Sequence, residues 1–216
     1  MNFKGIYKIL LAGLFVSLLG LTTVTRFENK GMVQVEAASK AKKSVSKNKV
    51  VKAKDYIDDK DMILLKEFHY KKSSETKAYP DLAAHPKAWI DVDIASQRVY
   101  IKDGKQNLYT MYSSTGKHDT TPRGTYYVQN ERGDYFYTEP LKMGAYYWVS
   151  FLHHGEYLFH TTPTDVNGKY DKKISKTLGR EPSSHGCIHL STPDCKWVYD
   201  NVPTGMKVVI HGKYRS

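Results

Sequence analysis

Residues 88–101 are Ala-Trp-Ile-Asp-Val-Asp-Ile-Ala-Ser-Gln-Arg-Val-Tyr-Ile, and their pattern indicates a β-sheet. The apolar residues Ile90, Val92 and Ile94 alternate with polar ones, the period of two that turns one face of a strand towards a core. Residues 95–98 then predict a turn, and a second strand follows before the turn dipeptide Asp103-Gly104. Two successive hairpins predict a β-meander.

The same pattern continues towards the C-terminus and predicts a mainly β domain. Further strand-like runs are 108–113, 124–129, 146–152, 157–160 and 206–211. One helix is predicted near the end, because Thr192 suits an N-cap, Pro193 the first helical position and Asp194 the positive end of the helix dipole. Residues 195–202 would follow as helix, with Trp197 and Val198 facing the sheet.

The most informative segment for chemistry is 182–190, Pro-Ser-Ser-His-Gly-Cys-Ile-His-Leu. A free thiol has a pKa near ~8.5, so its nucleophilic thiolate is a minority at neutral pH unless a histidine or another positive group favours it. We expect an imidazole to give Cys187 this help. His160 is a candidate, because two strand ends that lie side by side would bring it to Cys187.

Gly186 completes this constellation. Without a Cβ, it lets a substrate carbonyl approach the backbone, where N–H groups around Cys187 can receive an oxyanion. A cysteine nucleophile, a base and an oxyanion site together indicate acyl transfer.

The same residues resemble a known family. Ser184-His185-Gly186-Cys187, the upstream His160, the run Ser114-Thr115-Gly116 and the run Thr121-Pro122-Arg123-Gly124 are similar to the L,D-transpeptidase catalytic domain, also called the YkuD domain. The resemblance covers about residues 87–212. It implies a mainly β fold, a β-sandwich or meander with one or two short helices.

The resemblance also implies a reaction. Cys187 would attack the carbonyl of the third residue of a peptidoglycan tetrapeptide stem and release the terminal D-alanine. The side-chain amine of another stem would then resolve the thioester into a 3-3 cross-link. In this scheme Cys187 and His160 are the catalytic nucleophile and base, His185 and Gly186 shape the pocket and the oxyanion site, and Ser184 steadies the loop and contacts substrate. No metal or organic cofactor is implied.

The sequence departs from the family pattern at His189, where members commonly carry arginine. Arginine offers a permanent charge and a bidentate fork, whereas a histidine with an unperturbed pKa near ~6.5 is largely neutral at pH 7. We assign His189, with Ser184, to substrate binding through a single hydrogen bond. Alternatively, a lysine or arginine from elsewhere in the chain takes over carboxylate recognition.

Other interpretations stay open from the residues alone. Cys187 and Cys195 would be able to form a disulfide in an exported protein. Cys187 with histidines 160, 185 and 189 offers zinc ligands, although their spacing is unlike that of usual zinc motifs. Two alternatives concern the reaction: water resolves the same thioester, as in an L,D-carboxypeptidase, or the domain is an inactive wall-binding module.

The N-terminal residues predict export. Lys4 and Lys8 precede an apolar run over residues 9–24, which is typical of a signal peptide, here over 1–38. An uncleaved anchor is the alternative, because the run approaches the ~17 residues of a spanning helix. Residues 39–60 predict a basic flexible linker and 61–86 a lead-in segment with a short helix at 62–65. The catalytic domain is predicted over 87–216.

The charge of the chain indicates anionic partners. The 216 residues carry a formal net charge of +11, which favours contact with a polyanion. Because export argues against nucleic acid, we expect peptidoglycan stem peptides as substrates, anionic wall polymers at the linker and membrane contact only through the N-terminal segment. The expected location is extracellular, in the cell wall or at the outer face of the cell membrane.

Overall fold

A nine-stranded sheet forms the framework of the protein. The computed structural model describes residues 52–56 and 58–215, so the predicted signal peptide and most of the predicted linker lie outside the described residues. The strands are β1 (Ala88–Asp93), β2 (Arg98–Asp103), β3 (Gln106–Ser114), β4 (Gly124–Tyr127), β5 (Arg132–Thr138), β6 (Met143–Leu152), β7 (Tyr157–Thr161), β8 (Ile188–Leu190) and β9 (Lys207–His211).

Helices are few in this part of the chain. They are α1 (Lys172–Ser175), α2 (Thr192–Asn201) and 3-10 helices at Ala53–Asp55, Leu82–Ala84, Lys117–Asp119 and Glu139–Leu141. None of the described helices has the length and apolar character needed to cross a membrane.

Two antiparallel meanders make up most of the sheet. Its strand order is β4-β9-β1-β2-β3-β8-β7-β6-β5, with β1-β2-β3 as one meander and β5-β6-β7 as the other. The short β8 joins them, antiparallel to β3 and parallel to β7. Residues 129–131, between the outer strands β4 and β5, exchange backbone hydrogen bonds with Ser150 of β6. The sheet therefore curls, and the mainly β prediction is confirmed.

Two strands escaped the sequence analysis for different reasons. None of the residues of β5 is buried, so its sequence lacks the alternation that marks a half-buried strand. All three residues of β8 are buried, because the strand lies between β3 and β7, and a strand covered on both faces shows no alternation.

The helical predictions were partly correct. Helix α2 is present, but Ser191 and not Thr192 caps it, since the Ser191 hydroxyl accepts a hydrogen bond from the N–H of Asp194. Serine and threonine both cap well, so the residue types alone do not separate the two positions. The predicted helix at 62–65 is wrong, because Met62 forms an isolated β-bridge with Glu75.

The main core lies between the sheet and α2. Cys195, Trp197 and Val198 of α2 are buried and belong to the same apolar cluster as side chains of β1, β2, β3, β7, β8 and β9. Fully burying one such apolar side chain contributes about 1.5–3 kcal/mol to folding. The helix therefore presents the face that the sequence predicted.

Residues that precede the predicted domain form part of its structure. The Asp58 carboxylate accepts hydrogen bonds from Nε and Nη2 of Arg98 at 2.8 and 3.1 Å. Arg98 is 1% exposed. Further along, the carboxylate of Asp194 in α2 accepts hydrogen bonds from the hydroxyls of Ser74 and Tyr79. Segment 58–80 is thus fastened to the nine-stranded sheet and α2 by buried charge and hydrogen bonds.

We expect Asp58→Ala to lower the free energy of unfolding by about 3 kcal/mol, because it leaves the buried Arg98 guanidinium without its counter-charge. Urea denaturation followed by tryptophan fluorescence measures the loss. The matched control is Asp59→Ala, which removes an exposed carboxylate from the next position and should change stability by less than about 0.5 kcal/mol. Equal effects of the two substitutions would contradict the Asp58–Arg98 assignment.

Candidate active site

One pocket of about 530 Å³ gathers the residues that the sequence singled out for chemistry. Its walls come from the β5–β6 hairpin, from residues 155–160 and from the loop before β8. The six predicted site residues all line it: His160, Ser184, His185, Gly186, Cys187 and His189.

The pairing of β7 with β8 brings the distant residues together. The strands are parallel, and His160 lies opposite His189. Because side chains alternate along a strand, Cys187 and His189 share one face of the sheet with Leu158 and His160. The cysteine and two imidazoles therefore face the same space.

The loop before Cys187 is fixed by two of its own residues. Gly186 has a φ of +151°, and a Cβ there would lie 2.9 Å from the ring of Tyr157, so a side chain would be both strained and crowded. The Ser184 hydroxyl accepts a hydrogen bond from the Gly186 N–H at 3.0 Å and donates one to the Cys187 carbonyl at 2.5 Å. Ser184 therefore closes the turn that presents the sulfur.

Thr121 connects this loop to the other motif blocks. Its buried hydroxyl accepts a hydrogen bond from the Gly116 N–H at 2.8 Å and donates one to the Gly186 carbonyl at 2.9 Å. Gly116 also forms a β-bridge with Ser184. The separate motif blocks thus meet at one point under the loop, a role that the sequence did not reveal for Thr121.

His160 is held as a neutral base. Its Nδ1 lies 2.7 Å from the carbonyl oxygen of Thr161. A carbonyl only accepts, so Nδ1 carries the hydrogen and Nε2 carries the free lone pair. Burial lowers the pKa of His160 to about 4, although the bond to Thr161 opposes the shift. The ring can therefore accept a proton at Nε2 at neutral pH.

Cys187 is a thiol in the resting site. The residue is half-buried, and burial raises the pKa of its thiol to about 11, with a backbone hydrogen bond from Leu158 opposing the shift and the charge of Glu156 adding to it. The expectation that a histidine keeps Cys187 as a thiolate is therefore wrong for this state. A neutral His160 supplies no positive charge to offset the cost of burying a thiolate.

His189 brings no charge to the pocket. Burial lowers its pKa well below the usual range, and nearby His160, His185 and Lys117 lower it further. Its ring centroid lies 4.8 Å from that of His160, and its Nδ1 lies 3.2 Å from the Ser183 hydroxyl. His185, in contrast, is exposed.

Comparison with known proteins identifies the family. The model of the L,D-transpeptidase catalytic domain, YkuD, matches residues 87–210. The chain belongs to this family. A curated protein of Bacillus subtilis (strain 168), named "Putative L,D-transpeptidase YciB", is 48% identical over 136 residues, which cover 61% of this chain and 69% of that protein.

Solved structures with similarity to this L,D-transpeptidase-family chain include two bacterial proteins. One is a fused Zn-dependent amidase/peptidase/peptidoglycan-binding domain-containing protein from Clostridium acetobutylicum ATCC 824, with 28% identity, a TM-score of 0.44 and coverage of 58% of this chain and 52% of that one. The other is an L,D-transpeptidase from Mycobacterium smegmatis, with 22% identity, a TM-score of 0.47 and coverage of 58% of each chain. The chain thus spans little more than half the length of either protein.

The two cysteines of this L,D-transpeptidase-family chain are not bridged. Cys187 and Cys195 are both free, and the Cys195 thiol donates to the Tyr147 carbonyl at 3.1 Å inside the core. The disulfide alternative is therefore wrong for this structure. Within residues 52–56 and 58–215, no group of three candidate ligands is arranged to hold a metal ion.

Several residues of the pocket wall were absent from the sequence prediction. The β5–β6 hairpin contributes Phe136 and Trp148, and the turn before β7 contributes Glu156. Their sequence offers aromatic and charged residues in an exposed strand and a turn, and no pattern ties these residues to Cys187. The pairing of β6 with β7 was needed to find them.

We expect alkylation of Cys187 by iodoacetamide to accelerate by about tenfold per pH unit between about pH 7 and about pH 9, because the thiolate fraction rises at this rate below the raised thiol pKa. Intact mass over time measures the rate, and the Cys195→Ala variant confines the reaction to Cys187. A rate that is constant between about pH 6 and about pH 8 would contradict a neutral thiol and imidazole and indicate a preformed ion pair.

Proposed function

We propose that this chain is an exported cysteine acyltransferase that forms 3-3 cross-links between peptidoglycan stems. The observation that carries the proposal is the common face of β7 and β8, where the Cys187 thiol and the lone pair of His160 Nε2 open into one pocket. Membership of the L,D-transpeptidase catalytic domain family supports the choice of substrate.

The first half-reaction forms a thioester. His160 Nε2 takes the thiol proton as the sulfur of Cys187 attacks the carbonyl of the third stem residue. The same proton then passes to the amine of the departing D-alanine when the C–N bond breaks. Proton transfer during attack suits this pair, because neither partner is ionised at rest.

Backbone groups of the loop would stabilise the oxyanion of this step. Ser184 already engages the N–H of Gly186, so Gly186 contributes through its conformation. The N–H groups of His185 and Cys187 are then the donors that we propose for the oxyanion. His185 and Ser184, which line the pocket, would also contact the stem peptide.

In the second half-reaction the side-chain amine of another stem attacks the thioester and yields the cross-link. Attack by water would give the L,D-carboxypeptidase reaction from the same intermediate. Export by the N-terminal segment would place the domain in the cell wall or at the outer face of the membrane. The basic linker, residues 39–60, would hold the domain to anionic wall polymers.

We expect incubation with a tetrapeptide stem to add the mass of the stem less one alanine to the wild-type protein, because Cys187 retains the acyl group as a thioester. Intact mass spectrometry measures the adduct. Cys187→Ala should show none, whereas Cys195→Ala, which removes the buried second thiol, should retain it. An adduct on the Cys187→Ala variant, or its absence from a folded wild type, would exclude this nucleophile.

We expect a mixture of donor stem and acceptor stem to give cross-linked dimers, because the amine resolves the thioester. Liquid chromatography with mass spectrometry separates the products. Shortened monomers in place of dimers would identify a carboxypeptidase, and retention of stems without turnover would identify a wall-binding module. A stem whose diamino side chain is acetylated is the control acceptor and should give no dimer.

A further inference from the structure

A cluster of three hydroxyl side chains lies next to His189, and the proposed reaction does not use it. The Ser183 hydroxyl lies 2.8 Å from the hydroxyl oxygens of both Ser114 and Thr177. It also lies 3.2 Å from His189 Nδ1. Ser183, Ser114 and His189 are buried, so their polar atoms depend on each other for hydrogen bonds.

The hydrogens of two of these hydroxyls are already committed. Ser114 donates to the Glu181 carbonyl at 2.6 Å, and Thr177 has donor geometry towards both the Ile174 carbonyl at 2.7 Å and the Ser183 hydroxyl. A carbonyl oxygen only accepts, and each hydroxyl has one hydrogen. The Ser114 oxygen is therefore left as an acceptor towards Ser183.

Counting the remaining hydrogens gives the tautomer of His189. Ser183 donates its single hydrogen to the Ser114 oxygen, because Ser114 donates to Glu181 and Thr177 is the donor in its own contact with Ser183. The contact between Ser183 and His189 then needs a hydrogen from Nδ1 of the ring, which leaves Nε2 unprotonated. The opposite assignment, with Ser183 donating to His189, would leave the 2.8 Å contact between Ser183 and Ser114 without a hydrogen.

Two imidazoles thus present the same atom to the pocket. His160 and His189 each use Nδ1 to bond the protein, through Thr161 and Ser183. Within the described part of the chain neither Nε2 has a hydrogen-bond partner, and neither is among its fully buried unpartnered atoms. Both rings line the pocket that contains Cys187. The site therefore holds two lone pairs that face substrate, while the proposed proton transfers need one.

We propose that His189, fixed by Ser183 as the Nδ1–H tautomer, binds the acceptor amine by accepting a hydrogen bond from it at Nε2. The inference rests on the proposed function and makes His189 a specificity-determining residue for the second half-reaction. An amine nitrogen offers N–H groups, which a free imidazole lone pair accepts, whereas a carboxylate offers none. A histidine at this position therefore suits an amine that approaches the thioester, and an arginine would repel an ammonium group there.

The step balances with the groups present. The amine nitrogen attacks the thioester carbonyl, the C–N bond forms and the C–S bond breaks. One N–H proton passes to His160 Nε2 and then to the departing Cys187 sulfur, which restores the thiol. A second N–H of the same nitrogen stays bound to His189 Nε2 and becomes the N–H of the new amide.

The tautomer is measured directly by NMR of protein labelled with nitrogen-15 in its histidines. The His189 signals are identified by their loss in the His189→Asn variant. We expect a protonated Nδ1 and an unprotonated Nε2 in the wild type, and a mixture of tautomers in Ser183→Ala. A wild-type His189 protonated at Nε2 would overturn the inference.

The acceptor role is measured in a second experiment that separates the two half-reactions. His189→Asn keeps a donor near the Nδ1 position and removes the acceptor, whereas His189→Gln places a carbonyl oxygen near the Nε2 position. We expect both variants to form the thioester. The acceptor concentration that gives half-maximal dimer formation should rise about tenfold in His189→Asn, the effect of one lost hydrogen bond, and about threefold or less in His189→Gln.

His69→Asn is the matched control, since His69 is exposed outside the pocket, and it should behave as wild type. Normal thioester formation with an unchanged acceptor requirement in His189→Asn would overturn this inference alone. Failure of the wild type to form a thioester would overturn the proposed function and the acceptor role with it. If His189→Asn does not fold, Ser183→Ala replaces it, and an unchanged acceptor requirement there would count equally against the inference.

Discussion

The parallel pairing of β7 with β8 is the constraint on which the site depends. Parallel strands begin at the same edge of a sheet and need a long connection between them. Residues 162–187 make this connection, and they deliver Cys187 to the edge where β7 starts. The sulfur therefore lies beside Glu156, whose carbonyl is 3.6 Å away, and the two histidines follow side by side on the adjacent strands.

The interior of the site is almost free of charge, although the chain as a whole is strongly basic. Burial disfavours the ionised forms of Cys187, His160 and His189, because a charge loses its hydration there. The groups that we propose for proton transfer are therefore neutral at rest, and Ser184, Thr121 and Thr161 hold the loop backbone and the His160 ring in place. A buried, neutral setting of this kind strengthens the dipoles that would meet a developing oxyanion.

The sequence predicted those features that depend on local pattern. Alternation located most strands, and the contiguous run around Cys187 located the loop of the site. The alternation pattern missed β5, in which no residue is buried, and β8, in which all three residues are buried. Neither strand has one buried and one exposed face, so its sequence shows no alternation. The thiolate was wrongly expected because the residue types suggest an ion pair, whereas the degree of burial, which only the folded chain determines, favours the neutral forms. Ser183 escaped notice because its significance lies in a hydrogen bond to Ser114, which is distant in the sequence.

The attachment of segment 58–80 has a consequence for the protein in its environment. Proteolysis of the basic linker before residue 52 would leave Asp58, Ser74 and Tyr79 on the C-terminal fragment. Their hydrogen bonds to Arg98 and Asp194 would therefore be retained. A cut between positions 58 and 74 would instead separate Arg98 from the carboxylate that neutralises it. A recombinant protein that starts near residue 87, where the family match begins, would lack Asp58, Ser74 and Tyr79 and the hydrogen bonds that they make to Arg98 and Asp194.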